Sequence, residues 1–331
     1  MFNAKKFISA VVSAALCCSM VTAIPANAQC YTSCEGVRQV KDNGQYVSMQ
    51  GMAADSTGIY VAKTRVEKYG YGAQIYRVSF DGKTQTRLSM SAAVSNELKH
   101  ANDMFLNKEN GVNYLYVNNA DFNSNRSDCH LVKLRISGNT LTKVKTIYFT
   151  YNNKRLNFSA VSGYKWVSNN KYRVILKGSN NVYTADISTS NVNETVAAKK
   201  TLTLDTVVII KGTGYNFAEK FADGSACYSN QGITYYNNRL YTVVSSNKKP
   251  NQSFIVAYDN ISSKLDSAAI EKNVADSTRD QFRITSSKFP NLYEMESCAI
   301  YNGVLYYNTN RRKTANDSDY DAVLKIKDFR A

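Results

Sequence analysis

The chain has 331 residues and a formal net charge of +15 at pH 7, from 41 Lys and Arg against 26 Asp and Glu. Its 24 tyrosines, 13 phenylalanines and three prolines are typical of strands whose aromatic rings pack while their hydroxyls reach water or partners. Beyond an apolar run near the N-terminus, no segment is apolar enough to cross a bilayer. No nucleic-acid-binding motif is present, so we expect neither a transmembrane span nor a nucleic-acid partner.

Residues 1–28 have the features of a signal peptide. Lys5 and Lys6 are followed by a mostly apolar run, and the small-x-small pattern of Ala26-Asn27-Ala28 is typical of a cleavage site. We predict cleavage before Gln29 and a secreted, extracellular or cell-surface protein. Cleavage removes two lysines and lowers the net charge from +15 to +13. A charge of this size favours anionic partners, and a solvated basic surface is the equally weighted alternative.

Residues 29–44 are predicted to form an N-terminal segment ahead of one large domain at 45–331. Cleavage leaves an odd number of cysteines, so at least one thiol is unpaired even in an oxidising exterior. A link between Cys30 and Cys34 would staple this segment, and Cys227 could meet Cys298 if the repeats described below converge. The pairing stays open among Cys30, Cys34, Cys129, Cys227 and Cys298.

Most of the remaining chain alternates apolar and polar residues with a period of two, which predicts strands. Turn signals at 80–83, 236–239 and 301–304 separate apolar runs, as in β-hairpins. Helical periodicity is confined to two weak segments, 91–100 and 267–277. The sequence therefore predicts an all-β fold. The strand candidates are GIYVAKT, AQIYRVSF, NYLYVNNA, HLVKLRI, YRVILKG, NVYTADIS, FIVAYDN and AVLKIKDF.

One phrase recurs along the chain: a polar residue, a short run of small and apolar residues, a turn, and a second apolar run. It appears as MQGMAADSTGIYVA at 49–62, NQGITYYNNRLYTV at 230–243 and MESCAIYNGVLYYN at 295–308, with related copies beginning near His100 and residue 159. The spacing of about 50–70 residues leaves room for one four-stranded antiparallel sheet per copy. This pattern predicts a β-propeller of five blades, with six as the alternative, in which residues 36–43 and the C-terminal strand share one blade.

The phrases NQGITYYNNRLYTV, HANDM and MESCAIYNGVLYYNTNRR resemble secreted Gram-positive propeller-like proteins, distantly including helveticin J-type bacteriocins. The resemblance covers about residues 45–310. It implies a secreted protein directed at the cell envelope and, in its bacteriocin form, one that damages competing cells.

In a propeller the first strand of each blade lines the central channel, so the polar residues that open the repeats should meet at one mouth. We therefore expect a ligand site at that mouth. Its predicted residues are Gln50, His100, Asn102, Gln231, Glu294, Glu296, Arg311 and Arg312.

The same cluster offers catalytic chemistry. Glu294 and Glu296 lie two residues apart and would share a strand face, and paired carboxylates suit glycoside hydrolysis. If the protein is an enzyme, Glu296 or Asp103 is the predicted base or nucleophile, with His100 assisting. Arginine forks at Arg311 or Arg312 suit phosphate or carboxylate groups. Structural roles at the axis or on the surface are the alternative for each of these residues.

No cofactor is firmly implied. The Asp- and Asn-rich segment at 118–128 offers oxygen ligands for calcium but lacks the spacing of a calcium loop, and plain turns are the alternative. Our main hypothesis is a monomeric secreted propeller that recognises an anionic polysaccharide or cell-wall polymer. A glycan or cell-wall hydrolase and a bacteriocin-like toxin are the alternatives.

Overall fold

The computed structural model describes residues 29–31, 33–41, 44–65, 70–120, 128–267, 280–314, 320–327 and 329. The predicted signal peptide lies outside these ranges, as do residues 121–127 of the calcium candidate and nearly all of the weak helix candidate at 267–277. None of the described helices has the length and apolar character needed to span a membrane.

Among the described residues, five sheets of four or more strands are arranged around one axis, and a sixth sheet is a separate two-stranded hairpin. The predicted five-bladed propeller is confirmed, and the six-bladed alternative is wrong. The first strand of each sheet contacts the first strands of the two neighbouring sheets, which closes a ring. Five hydrophobic clusters fill the spaces between successive blades, including the space between the last blade and the first.

The bounds of the strands follow the predicted alternation closely. Two strands, β1 (Gln29–Tyr31) and β2 (Cys34–Gln39), precede the first blade. Blade 1 contains β3 (Tyr46–Asp55), β4 (Gly58–Arg65), β5 (Ala73–Val78) and β6 (Gln85–Arg87). Blade 2 contains β7 (Asp103–Glu109), β8 (Val112–Asn118), β9 (His130–Ser137), β10 (Thr140–Tyr151) and β11 (Lys154–Arg155).

Blade 3 contains β12 (Ala160–Ser168), β13 (Lys171–Gly178), β14 (Asn181–Ser188) and β16 (Lys199–Thr203), while β15 (Glu194–Ala197) pairs with β10 of blade 2. A separate hairpin of β17 (Val207–Ile210) and β18 (Thr213–Asn216) follows. Blade 4 contains β19 (Tyr228–Tyr236), β20 (Arg239–Ser246), β21 (Gln252–Tyr258) and β22 (Asp280–Thr285). Blade 5 begins with β23 (Leu292–Tyr301), β24 (Val304–Arg312) and β25 (Ala322–Ile326).

Strands from opposite ends of the chain close the ring. Strand β2 pairs antiparallel with β25 and completes blade 5, as the sequence predicts. Strand β1 adds to the outer edge of blade 4 by pairing parallel with β22. The segment at 29–44 is therefore largely built into the propeller.

Two short helices lie between the strands. Helix α1 (Ala92–Leu98) falls within the predicted segment at 91–100, and the hydroxyl of Ser91 caps its N-terminus by accepting from the N–H of Val94. Helix α2 (Ile261–Asp266) has no counterpart among the predictions. It is short, and only Ile261 and Leu265 are buried, so its apolar periodicity is too brief to recognise.

The predicted hairpin turns are confirmed by their backbone angles. Asn237 and Asn238 have φ of 48° and 64°, and Asn302 and Gly303 have φ of 48° and 72°. Two consecutive residues with positive φ form the turn whose twist matches that of paired strands, and Asn and Gly adopt it at least cost.

The thiols of Cys34, Cys129, Cys227 and Cys298 are free. Cys227 lies in the cluster between blades 3 and 4, whereas Cys298 lies in the cluster between blades 4 and 5. The expected meeting of these two cysteines is therefore wrong, because the two thiols pack in clusters on opposite sides of blade 4. The side chain of Cys30 lies outside the described residues.

Candidate functional site

A cavity of about 350 Å³ lies on the ring axis between the inner strands. Blades 1, 2, 4 and 5 all contribute to its wall, so residues far apart in sequence face one another there. The lining residues are Ser48, Gln50, His100, Asn102, Ser229, Asn230, Gln231, Glu294, Glu296 and Asn310.

Six of the residues predicted for the site therefore meet in one cavity: Gln50, His100, Asn102, Gln231, Glu294 and Glu296. The predicted convergence of the repeats has a local cause in the strands. The pairing register shifts in β3 between Met49 and Met52, in β19 between Asn230 and Ile233, and in β23 between Met295 and Cys298. Each shift is a β-bulge that brackets the polar residue of the repeated phrase.

A β-bulge inserts an extra residue and turns the side chains next to it. Here the bulged pairs are Gln50-Gly51, Gln231-Gly232 and Glu296-Ser297, so each copy of the phrase aims one amide or carboxyl group into the cavity. The second residue of each pair is small because the ring is crowded at this level. A Cβ atom on Gly51 would lie 2.7 Å from the carbonyl oxygen of Ala101.

Glu294 and Glu296 form a hydrogen-bonded pair in the wall of the cavity. Burial, and then the neighbouring Glu294, raise the pKa of Glu296 well above its usual range. Burial also raises the pKa of Glu294, but hydrogen bonds from Glu296 and Gln231 oppose that rise. Glu296 therefore keeps its proton to a higher pH than an ordinary glutamate does, and it donates to the carboxyl group of Glu294.

Amide groups fix the orientation of this pair. The Gln231 Nε2 donates to Glu294 Oε1 at 3.0 Å, and the Asn310 Nδ2 donates to Glu296 Oε1. Asn310 is held in turn, because its Oδ1 accepts from the backbone N–H of Met49 in blade 1. The carboxyl pair is thus positioned by neighbours from three blades.

Gln50 faces the cavity with an unused acceptor. Its side chain is 3% exposed, and its Oε1 has no hydrogen-bond partner among the described residues. Its backbone oxygen is occupied by the Nδ2 of Asn308. A buried acceptor without a partner is costly, so the cavity is suited to a ligand that donates a hydrogen bond at this point.

Asp103 occupies a different position from the rest of the predicted cluster. Its side chain is fully buried and is not part of the cavity lining. Its Oδ2 accepts from the backbone N–H groups of Val161 and Ile233 at 2.9 Å each, and its Oδ1 accepts from the Ser297 hydroxyl at 2.8 Å. Asp103 therefore ties blade 2 to blades 3, 4 and 5, and burial raises its pKa to about 7.

The two arginines do not line the cavity. Arg311 turns away, because its Nε donates to the Tyr320 carbonyl at 2.6 Å and its guanidinium lies 4.6 Å from the centre of the Phe289 ring. Arg312 shares a strand face with Asn310 and is among the groups that oppose the rise in the pKa of Glu294. Neither arginine therefore lines the cavity as predicted, and Arg312 acts on the site only through its charge.

Sequence reasoning missed four lining residues: Ser48, Ser229, Asn230 and Asn310. Asn310 could have been found, because it lies in β24 directly opposite Glu294 and shares its face of the sheet. Ser229 and Asn230 precede the recurring Gln-Gly pair, and nothing in their composition separates them from ordinary turn residues.

The described residues contain no group of three or more His, Cys, Asp or Glu side chains placed to hold a metal ion. The predicted calcium segment falls mostly on residues 121–127, outside the described ranges, so calcium binding stays a prediction.

No protein-family model matches the chain. No curated protein matches it either. Comparison with solved structures finds carbohydrate-active enzymes at low identity, and a likeness of this kind bears on the fold alone.

An α-L-arabinanase mutant from Cellvibrio cellulosa is 10% identical, with a TM-score of 0.49 over 85% of this chain and 91% of that chain. A β-xylosidase/α-arabinofuranosidase from a compost microbial metagenome is 10% identical, with a TM-score of 0.48 over 88% of this chain and 94% of that chain. A glycosyl hydrolase from Bacteroides ovatus is 11% identical, with a TM-score of 0.46 over 88% of this chain and 86% of that chain.

Proposed function

We propose that this protein is a glycoside hydrolase that cleaves an uncharged glycan in the axial cavity. The observation that carries the proposal is the hydrogen-bonded pair of Glu294 and Glu296, whose pKa values are both raised by burial, beside an open cavity of about 350 Å³. Glycoside hydrolysis needs such an acid, because the leaving oxygen must be protonated as the glycosidic bond breaks.

The lining of the cavity supports a neutral substrate. Among the described residues no Lys or Arg lines the cavity, whereas the carboxyl groups of Glu294 and Glu296 do. The other lining groups are amides and hydroxyls, which pair with sugar hydroxyls. The anionic ligand expected from the net charge therefore has no support in these residues.

In the proposed reaction the glutamate pair gives its proton to the glycosidic oxygen, and the bond between that oxygen and the anomeric carbon breaks. A water molecule attacks the same carbon and passes a proton to His100, which lines the cavity from blade 2. The proton then returns from the imidazolium to the glutamate pair through solvent. The products are a sugar with a free anomeric hydroxyl and the released alcohol.

Gln50, Gln231 and Asn310 act by positioning. Gln50 accepts from a sugar hydroxyl through its unused Oε1, while Gln231 and Asn310 hold the carboxyl pair. A substrate held by several such fixed groups loses less freedom in the reaction step, which lowers the barrier.

Replacing Glu296 tests the proposal. Glu296→Gln removes the proton that the pair donates, so we expect turnover to fall by roughly 100-fold to 10,000-fold while binding is kept. The measurement is release of reducing ends from a panel of neutral polysaccharides and of bacterial cell walls. Glu219→Gln is the matched control, since Glu219 is exposed and pairs with Lys248 away from the cavity. Wild-type protein that releases no sugar from any of these would contradict the hydrolase.

Glycan binding without turnover is the second candidate, and the unpartnered acceptor of Gln50 favours it. In that case Glu296→Gln weakens glycan binding, and neither the wild-type chain nor the variant releases sugar. Secretion and a bacteriocin-like role stay predictions from residues 1–28 and from the resemblance described above.

A further inference from the structure

A second and larger cavity adjoins the axial one. Its volume is about 590 Å³, and it lies beside blades 3 and 4. Ser229 and Asn230 line both cavities, so the two spaces share a wall at the start of β19. Nothing in the proposed reaction uses this second space.

The chemistry of the second cavity differs from that of the first. None of its described lining residues is charged, whereas the axial cavity has two carboxyl groups and a histidine. Two tyrosine rings and a set of amides and hydroxyls face it instead. The lining residues are Ala120, Asn157, Phe158, Ser159, Gly178, Ser179, Asn181, Tyr183, Ala226, Tyr228, Ser229 and Asn230.

Both tyrosines are held in place by other rings. Tyr228 packs edge-on against Phe217 with ring centres 5.2 Å apart, and Tyr183 packs edge-on against Tyr151 at 5.2 Å. Each tyrosine is 8% exposed, so only part of each ring or hydroxyl reaches the cavity. Rings fixed in this way lose little freedom when a ligand packs on them.

The shared wall is also fixed. Asn230 Oδ1 accepts from the buried Lys177 Nζ at 2.6 Å, which orients the amide between the two cavities. A third, small cavity of about 90 Å³ lies on the Lys177 side of the same asparagine. Asn230 can therefore present its amide to an occupant of the axial cavity and to one of the second cavity without rearrangement.

We propose that the second cavity binds further uncharged sugar units of a linear oligosaccharide whose cleaved bond lies in the axial cavity. This proposal rests on the proposed function and adds a substrate class: a chain of neutral sugars rather than a single glycoside. Each cavity falls within the volume range of about 300–1,000 Å³ that is usual for small-molecule sites, so the two together suit a ligand of several units. The sugar chain would run from the glutamate pair past Asn230 towards Tyr183 and Tyr228.

The test uses binding to the full chain that carries Glu296→Gln, so that the ligand persists. The probes are linear arabino-, xylo-, manno- and cello-oligosaccharides, from the monosaccharide methyl glycoside to the hexasaccharide. We expect affinity in one series to rise at least tenfold with chain length. Asn157→Trp should abolish that gain, because Asn157 is exposed at the cavity and a large ring there fills the space without entering the core.

Val192→Trp is the matched control, since Val192 is 72% exposed and lines neither cavity. It should leave the gain with length unchanged. Affinity that does not depend on length, or a gain that survives Asn157→Trp, would overturn the second site even if short glycosides are hydrolysed. Length-dependent binding without hydrolysis by the wild-type chain would support the second site and overturn the hydrolase instead. If no probe binds, both proposals fail.

Discussion

A single carboxyl group, that of Asp103, connects four of the five blades. It accepts from two backbone N–H groups and one hydroxyl, each contributed by a different blade. Sequence reasoning assigned Asp103 to catalysis because it follows His100 and carries a carboxylate. Because neighbouring side chains of an extended segment point to opposite sides, Asp103 and Asn102 have different environments.

Asp103→Ala should lower the free energy of unfolding by about 3 kcal/mol, because three buried donors lose their acceptor. Asp103→Asn should be close to wild type, since its oxygen can accept from both N–H groups while its Nδ2 donates to the Ser297 hydroxyl. Unfolding in urea measures both changes. A loss with Asn as large as that with Ala would show that the charge itself is required.

The same pair of variants tests the catalytic prediction for Asp103. If Asp103 only ties the blades together, Asp103→Asn keeps both stability and glycan cleavage. A stable Asp103→Asn protein without turnover would instead support the role predicted from the sequence.

At the scale of the strand, the repeated phrase is the sequence of a bulged inner strand. The polar residue and the small residue after it occupy the bulge, and the turn that follows joins the inner strand to the next one. This explains why the phrase could be recognised without knowing the fold. Copies in blades 2 and 3 are weaker because their bulges are missing or lie elsewhere: β7 pairs with β8 without a register shift, and β12 shifts only beyond Gly163.

Gly232→Ala tests the requirement for a small residue at the bulge. The added Cβ would lie 2.5 Å from the Ser297 Oγ and 2.9 Å from the Asp103 Oδ1, so the inner strands must move apart. We expect a loss of about 1–3 kcal/mol in the free energy of unfolding, as for other overpacked sites.

Gly214→Ala is the matched control for that change, because a Cβ on Gly214 would meet nothing within 4 Å. Its expected effect is within about 0.5 kcal/mol, as for most surface substitutions. Equal losses in the two variants would mean that crowding at the axis is not the cause.

The strands were predictable because alternation and turn residues act over a few positions, and NVYTADIS coincides with β14 from end to end. The position of Asn230 in the site was not predictable, because it depends on a contact with Lys177 of the neighbouring blade 3. The orientation of Arg311 likewise depends on the Tyr320 carbonyl and the Phe289 ring, which only the closed ring brings near.

For the whole molecule, a high positive charge does not mean that every lysine is solvated. Lys63, Lys133, Lys145 and Lys177 are almost completely buried. Three of them form ion pairs, such as Lys63 with Asp321 at 3.3 Å between blades 1 and 5. Part of the basic composition that suggested an anionic partner therefore belongs to the interior.

Buried acids give the propeller a characteristic pH dependence. Burial raises the pKa of Asp103 to about 7 and that of Asp321 to about 6, and it raises the pKa values of Glu294 and Glu296 as well. Between pH 4 and these values, the folded chain binds more protons than the unfolded chain. The free energy of unfolding should therefore fall as pH rises from about 4 to 7.

A shift of two pKa units corresponds to about 3 kcal/mol, which sets the scale for Asp321 alone. Thermal or urea unfolding at pH 5 and pH 7 measures the change. Asp321→Asn should have a flatter profile between pH 4 and 6, because it removes the buried acid that titrates there. Wild-type stability that rises from pH 5 to pH 7 would contradict this account.

The pairing of β2 with β25 makes the last blade a product of both ends of the polypeptide. During synthesis, residues 34–39 leave the ribosome long before their partner strand at residues 322–326. Until then blade 5, which holds Glu294 and Glu296, lacks its outermost strand. The carboxyl pair thus acquires its full support only after β25 has been synthesised and has paired with β2.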